Sequence, residues 1–248
     1  MVGRPAWVGI CAAMTTALAG LGVAHAGPVT ATLSATYFEV ADGANPPDFG
    51  GSGSPNVMLG SSLGPDGLPV ATAPYGISDV DPTTHEITWW SPALNPAIVQ
   101  TGTGTITLPY GSNMYAPNST GTNDGTYFET AYFKGDFTLS AAENVEFQLG
   151  SDDDSFIYVD GKLIGDNPGI HGVTNVDFTA DDLSAGTHTL EVFYDDRERS
   201  GAYLSLSLLT SGVVITPPPA SVPEPASVAL LGTALLGLGV LGRRKRSN

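Results

Sequence analysis

The chain has 248 residues, a formal charge of −16 and a single cysteine, Cys11. Between residues 27 and 222 it has 24 acidic and only four basic residues, a balance of −20. Such acidity excludes nucleic acid and anionic lipid as partners, because their binding depends on Lys and Arg contacts. The same segment contains no cysteine, which excludes disulfides, a thiolate nucleophile and cysteine metal ligands.

The first 26 residues are typical of a secretory signal peptide. Arg4 precedes an apolar stretch over residues 6–23, and Ala24-His25-Ala26 then offers small residues on both sides of a cleavage position. Because the stretch is short and rich in Ala and Gly, we expect a signal helix that is cleaved after Ala26. A membrane-spanning anchor is the alternative.

Residues 27–212 are predicted to form one all-β domain, an antiparallel β-sandwich of the jelly-roll kind. Alternating or β-branched runs recur between clusters of Gly, Pro, Asn and Asp, and no amphipathic helical stretch of useful length interrupts them. The predicted strands are residues 31–40, 85–90, 104–108, 126–133, 144–149, 156–159, 173–178, 187–194 and 202–208. Residues 41–75 lack a regular pattern and predict a long, partly ordered excursion. Asp160-Gly161, between two apolar runs, predicts a type I′ hairpin.

The acidic loop Ser151-Asp152-Asp153-Asp154-Ser155 is the sharpest feature of this domain. Three adjacent carboxylates repel one another unless they are solvated or neutralised. Calcium would neutralise Asp152, Asp153 and Asp154, because it accepts several oxygen ligands in flexible geometry. The EF-hand pattern fails here, since Phe156 occupies the third ligand position. A solvated acidic turn is the alternative.

The acidic loop together with Tyr158-Val159-Asp160-Gly161-Lys162-Leu163 resembles the core motif of protective-antigen-type β domains, and is most similar to their fibro-slime branch. Further similar stretches are residues 47–49, 63–70, 169–172 and 190–199. The resemblance implies a β-sandwich whose adjacent pair, here Asp152 and Asp153, holds calcium. In adhesin members that calcium bridges to sugar hydroxyls. Asp154 stands where many relatives have Gly.

Other candidate ligand-binding residues follow from the same resemblance and from position. They are His171 in a Gly-rich loop, and Asp195, Asp196 and Arg197, whose order departs from the acid–Arg order of the family. A structural hydrogen bond is the alternative role for His171. Aromatic residues that could stack on sugar rings, but that are more often core in a β domain, are Trp89, Trp90, Tyr110 and Tyr115. His85 and His188 are expected at the surface or in packing.

The C-terminal segment begins with a Pro-rich linker over residues 213–225, which ends in a Pro-Glu-Pro motif. Pro223-Glu224-Pro225 precedes an apolar helix predicted over residues 226–242, and a basic tail, residues 243–248, follows. Its cations are Arg243, Arg244, Lys245 and Arg246. The sixteen apolar or small residues 226–241, at ~1.5 Å each, make ~24 Å of helix, which spans a membrane with local thinning and leaves the cations cytoplasmic. This tail resembles the PEP-CTERM sorting signal, which exosortase-type membrane enzymes of Gram-negative bacteria process. A plain C-terminal membrane anchor is the alternative.

Together these patterns predict an exported protein of the cell surface, outer membrane or extracellular matrix of a Gram-negative-type bacterium. The expected partners are an extracellular polysaccharide or glycan bound through Ca²⁺, an exosortase-type enzyme and the membrane. One alternative is a structural component of the matrix or surface layer that has no glycan ligand. Another is a glycoside-acting enzyme that uses two carboxylates across a cleft. No zinc spacing, nucleophile elbow or phosphate-binding loop occurs, and we expect no enzymatic activity.

Overall fold

The structure, a computed structural model, describes residues 31–41, 44, 46–50, 57–74, 76–114, 127–198 and 201–219. Within these ranges the chain is all-β, with antiparallel strands in two sheets, which confirms the predicted sandwich. These residues include no helix long and apolar enough to cross a membrane. The predicted signal peptide, transmembrane helix and basic tail lie outside the described residues, as does Tyr115.

Thirteen strands are defined in the described ranges. In chain order they are β1 (Ala31–Ala41), β2 (Leu59–Leu63), β3 (Pro69–Ala71), β4 (Ile98–Leu108), β5 (Tyr110–Asn113), β6 (Tyr127–Leu139), β7 (Glu143–Asp152), β8 (Ser155–Val159), β9 (Lys162–Asn167), β10 (Thr174–Leu183), β11 (Gly186–Asp195), β12 (Tyr203–Leu208) and β13 (Ile215–Thr216). The larger sheet has the order β3-β2-β9-β8-β11-β6-β1-β4, with β13 also paired to β6. The smaller sheet has the order β10-β7-β12-β5.

The main core lies between the two sheets. Alternate residues of the strands that line it point into it, as the two-residue period of a strand requires. Leu190, Val192 and Tyr194 of β11 are buried there together with Phe147 and Leu149 of β7. The residues between them on β11, Glu191 and Phe193, point to the outer face of the larger sheet.

A second apolar cluster covers that outer face. It is built from Phe156, Tyr158 and Phe193 of the sheet and from residues of the segment 46–98, including Trp89 and Trp90. Strand β8 is therefore buried on both faces. The segment contains β2 and β3, and only isolated bridges occur in the predicted strand 85–90. Trp89 is fully buried, so this ring is core and cannot stack on a sugar.

The end of the β domain is held by β13. Ile215 and Thr216 pair with Phe137 and Asp136 of β6. Ile215 is fully buried, and a Cβ added to Gly135 would lie 2.6 Å from its Cγ2, so the glycine makes the space that the strand occupies. Strand pairing in the described residues thus continues to Thr216.

Candidate metal and ligand site

The acidic loop joins β7, which ends at Asp152, to β8, which begins at Ser155. It lies against the end of β11, because β8 and β11 are paired. The N–H of Asp153 donates to the carbonyl of Asp195 at 3.2 Å, and the N–H of Asp195 donates to the carbonyl of Asp154 at 3.1 Å. The Asp152–Asp153 peptide bond is cis. The pairing of β8 with β11 therefore brings the acidic run 152–154 next to the acidic run 195–196, which is distant in the sequence.

The Asp153 carboxylate is buried and held by backbone donors. Its Oδ1 accepts the N–H of His171 at 2.9 Å, and its Oδ2 accepts the N–H groups of Arg197 at 2.8 Å and Glu198 at 2.9 Å. A carboxylate has about four acceptor positions, so one position on Oδ1 remains for another partner. His171 therefore contributes to the site through its main chain, in agreement with a structural role.

Three carboxylates form the group that best fits a metal. Asp152, Asp153 and Asp196 each offer one oxygen, and these atoms all lie within 4.8 Å of one another. Asp152 and Asp153 also line a cavity of about 180 Å³ together with Ile170, His171, Gly172 and Glu198. Oxygen ligands carried by carboxylates are those that calcium prefers. The donor set therefore fits Ca²⁺.

Asp154 is not a member of this group, although the sequence placed it with Asp152 and Asp153. Arg197 binds its Oδ2 through Nε at 2.7 Å and Nη2 at 2.7 Å, and the N–H of Gly169 donates to its Oδ1. The guanidinium carbon of Arg197 lies 5.0 Å from the ring centre of Trp89. Asp154 thus neutralises a buried cation, and Asp196 takes the third place in the candidate metal group.

Asp195 and Arg197, two of the predicted ligand-binding residues, are fully buried and cannot contact a glycan directly. Asp195 Oδ1 lies 3.5 Å from Arg197 Nε, so one guanidinium serves two carboxylates. Burial, reinforced by the charge of Asp154, raises the pKa of Asp195 well above its ordinary value. Burial also raises the pKa of Asp154, and the charge of Arg197 offsets part of that effect. A proton on Asp195 would leave this trio neutral.

Sequence reasoning missed a second acid pair, the buried Asp48 and the half-buried Asp79. Asp48 accepts the N–H groups of Ser78 and Asp79, each at 2.7 Å, and the indole N–H of Trp89 at 3.1 Å. Burial, with a contribution from the charge of Asp48, raises the pKa of Asp79 to about 7. The two residues stand in a segment without regular pattern, so the sequence gives no signal that they meet.

The sequence-family comparison places a PEP-CTERM protein-sorting motif at residues 221–246. This confirms the predicted sorting signal and indicates a protein that is exported and sorted to the cell envelope. No curated protein matches the chain significantly.

Several solved structures are similar to parts of the chain. The GH31 alpha-xylosidase of Xanthomonas citri is 23% identical over 40% of this chain, with a TM-score of 0.31, and the chain spans only 11% of that enzyme. A PA14 sugar-binding domain from an RTX adhesin is 16% identical over 75% of this chain and 94% of its own length, with a TM-score of 0.35. The A domain of a subtype-switched epithelial adhesin 9 from Candida glabrata, in complex with beta-lactose, is 9% identical over 76% and 85%, with a TM-score of 0.37.

Proposed function

We propose that this envelope-sorted protein binds extracellular glycans through a calcium ion held by Asp152, Asp153 and Asp196. The observation that carries the proposal is the convergence of these three carboxylates, two of which open onto a cavity. Three nearby negative charges are unfavourable together unless a cation neutralises them. A divalent cation with several oxygen ligands meets that requirement.

The surrounding residues position the carboxylates. Three backbone N–H groups orient the Asp153 carboxylate. The ion pair of Asp154 with Arg197 holds the next residue of the same loop. Gly201 leaves room for Asp152, because an added Cβ would lie 2.5 Å from its Oδ2. When bound, calcium supplies open coordination positions that sugar hydroxyls can fill. Glu198, at the cavity wall, can accept a hydrogen bond from a further hydroxyl.

Export would bring the proposed calcium site into contact with extracellular polysaccharides. The sorting motif at residues 221–246 directs the domain to the envelope, where hydroxyl-rich polysaccharides are abundant. The strongly acidic domain repels anionic polymers and suits neutral ones. We further propose an exosortase-type enzyme as the processing partner, with the cell surface or the extracellular matrix as the destination.

Calcium titration of the full chain, kept in a detergent without sugar head groups, tests the metal site. Calcium at one hundred times its dissociation constant should raise the free energy of unfolding by ~2.7 kcal/mol. The double variant Asp152→Asn/Asp153→Asn should lose that response. Asp177→Asn/Asp181→Asn, which removes the same charge from exposed positions on β10, is the matched control and should keep it.

Glycan binding is then measured on a polysaccharide array in calcium and in EGTA. Retention that requires both calcium and the Asp152–Asp153 pair supports the proposal. Calcium stabilisation without any retention would favour the structural component of the matrix or surface layer. An equal calcium response in the two double variants would remove the acidic loop as the site.

A further inference from the structure

A second cavity, of about 330 Å³, opens on the outer face of the larger sheet. Its volume falls within the range of about 300–1,000 Å³ that is usual for small-molecule sites. Its walls include Asp66, Trp90, Tyr132, Lys134, Glu191 and Phe193. None of its lining residues belongs to the cavity beside the acidic loop. The two cavities are therefore separate sites.

Glu191 forms the polar floor of the cavity. This residue is only 7% exposed, and its Oε1 accepts hydrogen bonds from the Tyr132 hydroxyl at 2.6 Å and from Lys134 Nζ at 3.0 Å. Within the described part of the chain, no donor reaches its other oxygen, Oε2. Burial and the neighbouring Glu191 raise the pKa of Tyr132, so its hydroxyl stays a donor. A carboxylate that lines a cavity and keeps one oxygen without a protein donor is an acceptor for a ligand hydroxyl.

The cavity is also rigid before any ligand arrives. Its floor residues lie on paired strands, with Glu191 opposite Lys134 and Phe193 opposite Tyr132. Its rim is the turn that contains Asp66. The fully buried carboxylate of Glu86 holds this turn, because its Oε1 accepts the N–H groups of Asp66 at 2.8 Å and Leu68 at 3.2 Å. A site that is fixed in advance loses less entropy on binding.

The charges and surfaces of the cavity select the ligand class. Asp66 and Glu191 outnumber the one cation, Lys134, so the cavity disfavours anions. A wholly apolar ligand would cover Glu191 without supplying a donor, which costs free energy. The apolar walls, Trp90, Phe193 and Leu68, disfavour a ligand that is polar on every side. A ring with hydroxyls on its edge and C–H groups on its face meets all three conditions.

We propose that this cavity is a metal-independent binding site for a neutral pyranose unit, with Glu191 and Lys134 bonded to ring hydroxyls. The site does not depend on the calcium loop. It would give the domain a second point of contact with a polysaccharide, and two linked contacts bind more tightly than either alone.

The test uses the full chain in a sugar-free detergent with EGTA present. Glucose, galactose, mannose and N-acetylglucosamine are titrated by saturation-transfer NMR and calorimetry, with glucuronate as the charged comparison. We expect millimolar binding of at least one neutral sugar, and at least tenfold weaker binding of glucuronate. Asp152→Asn/Asp153→Asn should bind the same sugar with unchanged affinity in EGTA.

Two variants locate the binding. Ser91→Phe, at a partly exposed position of the cavity wall, should fill the space and weaken binding more than tenfold. Glu191→Gln keeps the shape of the floor and should weaken binding about tenfold. Lys134→Met replaces either variant if that variant does not fold, because the Lys134 side chain is 37% exposed. It should also weaken sugar binding.

The proposal is overturned if no neutral sugar of the panel binds in EGTA, or if binding survives the cavity variants. It is also overturned if sugar binding in EGTA disappears with the Asp152–Asp153 double variant, because the sugar would then occupy the acidic loop. Since calcium is absent throughout, a negative result leaves the calcium-dependent function untouched.

Discussion

Trp89 contacts two clusters of carboxylates, one through its ring and one through its indole N–H, and the clusters differ in what balances the acids. On one side Arg197, whose guanidinium carbon lies 5.0 Å from the ring centre, binds Asp154 beside the candidate calcium group. On the other side the indole N–H donates to Asp48, and among the described residues Asp79, not a guanidinium, stands beside this carboxylate. Burial and the charge of Asp48 raise the pKa of Asp79 to about 7, so below that pH a proton on Asp79 can balance the second cluster. Acids alone therefore do not mark a metal site, because Asp154 is balanced by Arg197 and stands outside the group formed by Asp152, Asp153 and Asp196.

The largest expected effect comes from breaking the Arg197 side. Arg197→Met leaves Asp154 buried without its cation, and removing one partner of a buried ion pair costs about 3–5 kcal/mol. Urea denaturation at pH 7 measures the loss. Lys134→Met removes a partly exposed ion pair with Glu191 and should cost less than ~1 kcal/mol. Equal losses in the two variants would show that Arg197 does not neutralise the cluster.

The position of the Asp152 side chain in the acidic loop can be tested at Gly201, which lies beside it. Gly201→Ala places a Cβ 2.5 Å from Asp152 Oδ2 at a φ of +103°, so the side chain must move. We expect a stability loss of ~1–3 kcal/mol and a calcium affinity reduced at least tenfold, both followed by calorimetry. Gly172→Ala, whose added Cβ would meet nothing within 4 Å, is the control at the same cavity. Unchanged calcium affinity in Gly201→Ala would exclude Asp152 as a ligand.

The proton-balanced pair predicts a pH dependence. The folded pKa of Asp79, about 7, exceeds the ordinary value of 3.8. Between about pH 4 and pH 7 the folded state therefore keeps a proton that the unfolded chain has lost, and the free energy of unfolding falls as pH rises through this window. Water around this half-buried group limits the change to ~1–2 kcal/mol. Asp79→Asn should flatten that part of the stability curve, and an unaltered slope would contradict the assignment.

The smallest expected loss of stability comes from the pair of His188 with the partly exposed Asp160. His188 Nδ1 lies 2.7 Å from Asp160 Oδ2 and Nε2 lies 2.8 Å from the Ser184 carbonyl, so both nitrogens face acceptors. The hydrogen bond with Asp160 raises the pKa of His188. Its stabilisation is therefore present below about pH 6.5 and is lost as pH rises through the raised pKa.

Asp160→Asn tests this pair, because asparagine tolerates the φ of +52° that the turn imposes. We expect the NMR-measured pKa of His188 to fall and stability at pH 6 to drop by ~0.5 kcal/mol. The NMR signals of the His171 ring, away from this turn, should be the same in the variant and the parent at each pH. A His188 pKa that does not move would assign the shift to Ser184 instead.

Local features of the fold could be predicted from the sequence. Asp160 and Gly161 take positive φ, as a type I′ turn requires, and strands β8 and β9 flank them. The alternation of apolar residues likewise predicted the sandwich. These signals are carried by neighbouring residues, so one sequence contains them.

The candidate site could be predicted only in part, because it depends on strand pairing. Adjacency in the sequence grouped Asp154 with Asp152 and Asp153, but the pairing of β8 with β11 brought Arg197 to Asp154 and Asp196 to the metal group. The cavity at Glu191 was missed for the same reason. Its floor and its rim come from strands and a turn that meet only across the sheet.

The short strand β13 has a mechanical consequence. Tension applied to the sorting tail enters the domain through residues 217–219, a stiff polyproline spacer that transmits force with little stretch. The load then falls first on Ile215 and Thr216, whose few hydrogen bonds to β6 are the only ladder between the tail and the rest of the described domain. Those bonds, with the burial of Ile215 above Gly135, act as a weak link that yields first. If the tail were held, loss of this pairing would add length between the tail and the domain and would leave the other strand pairs in place.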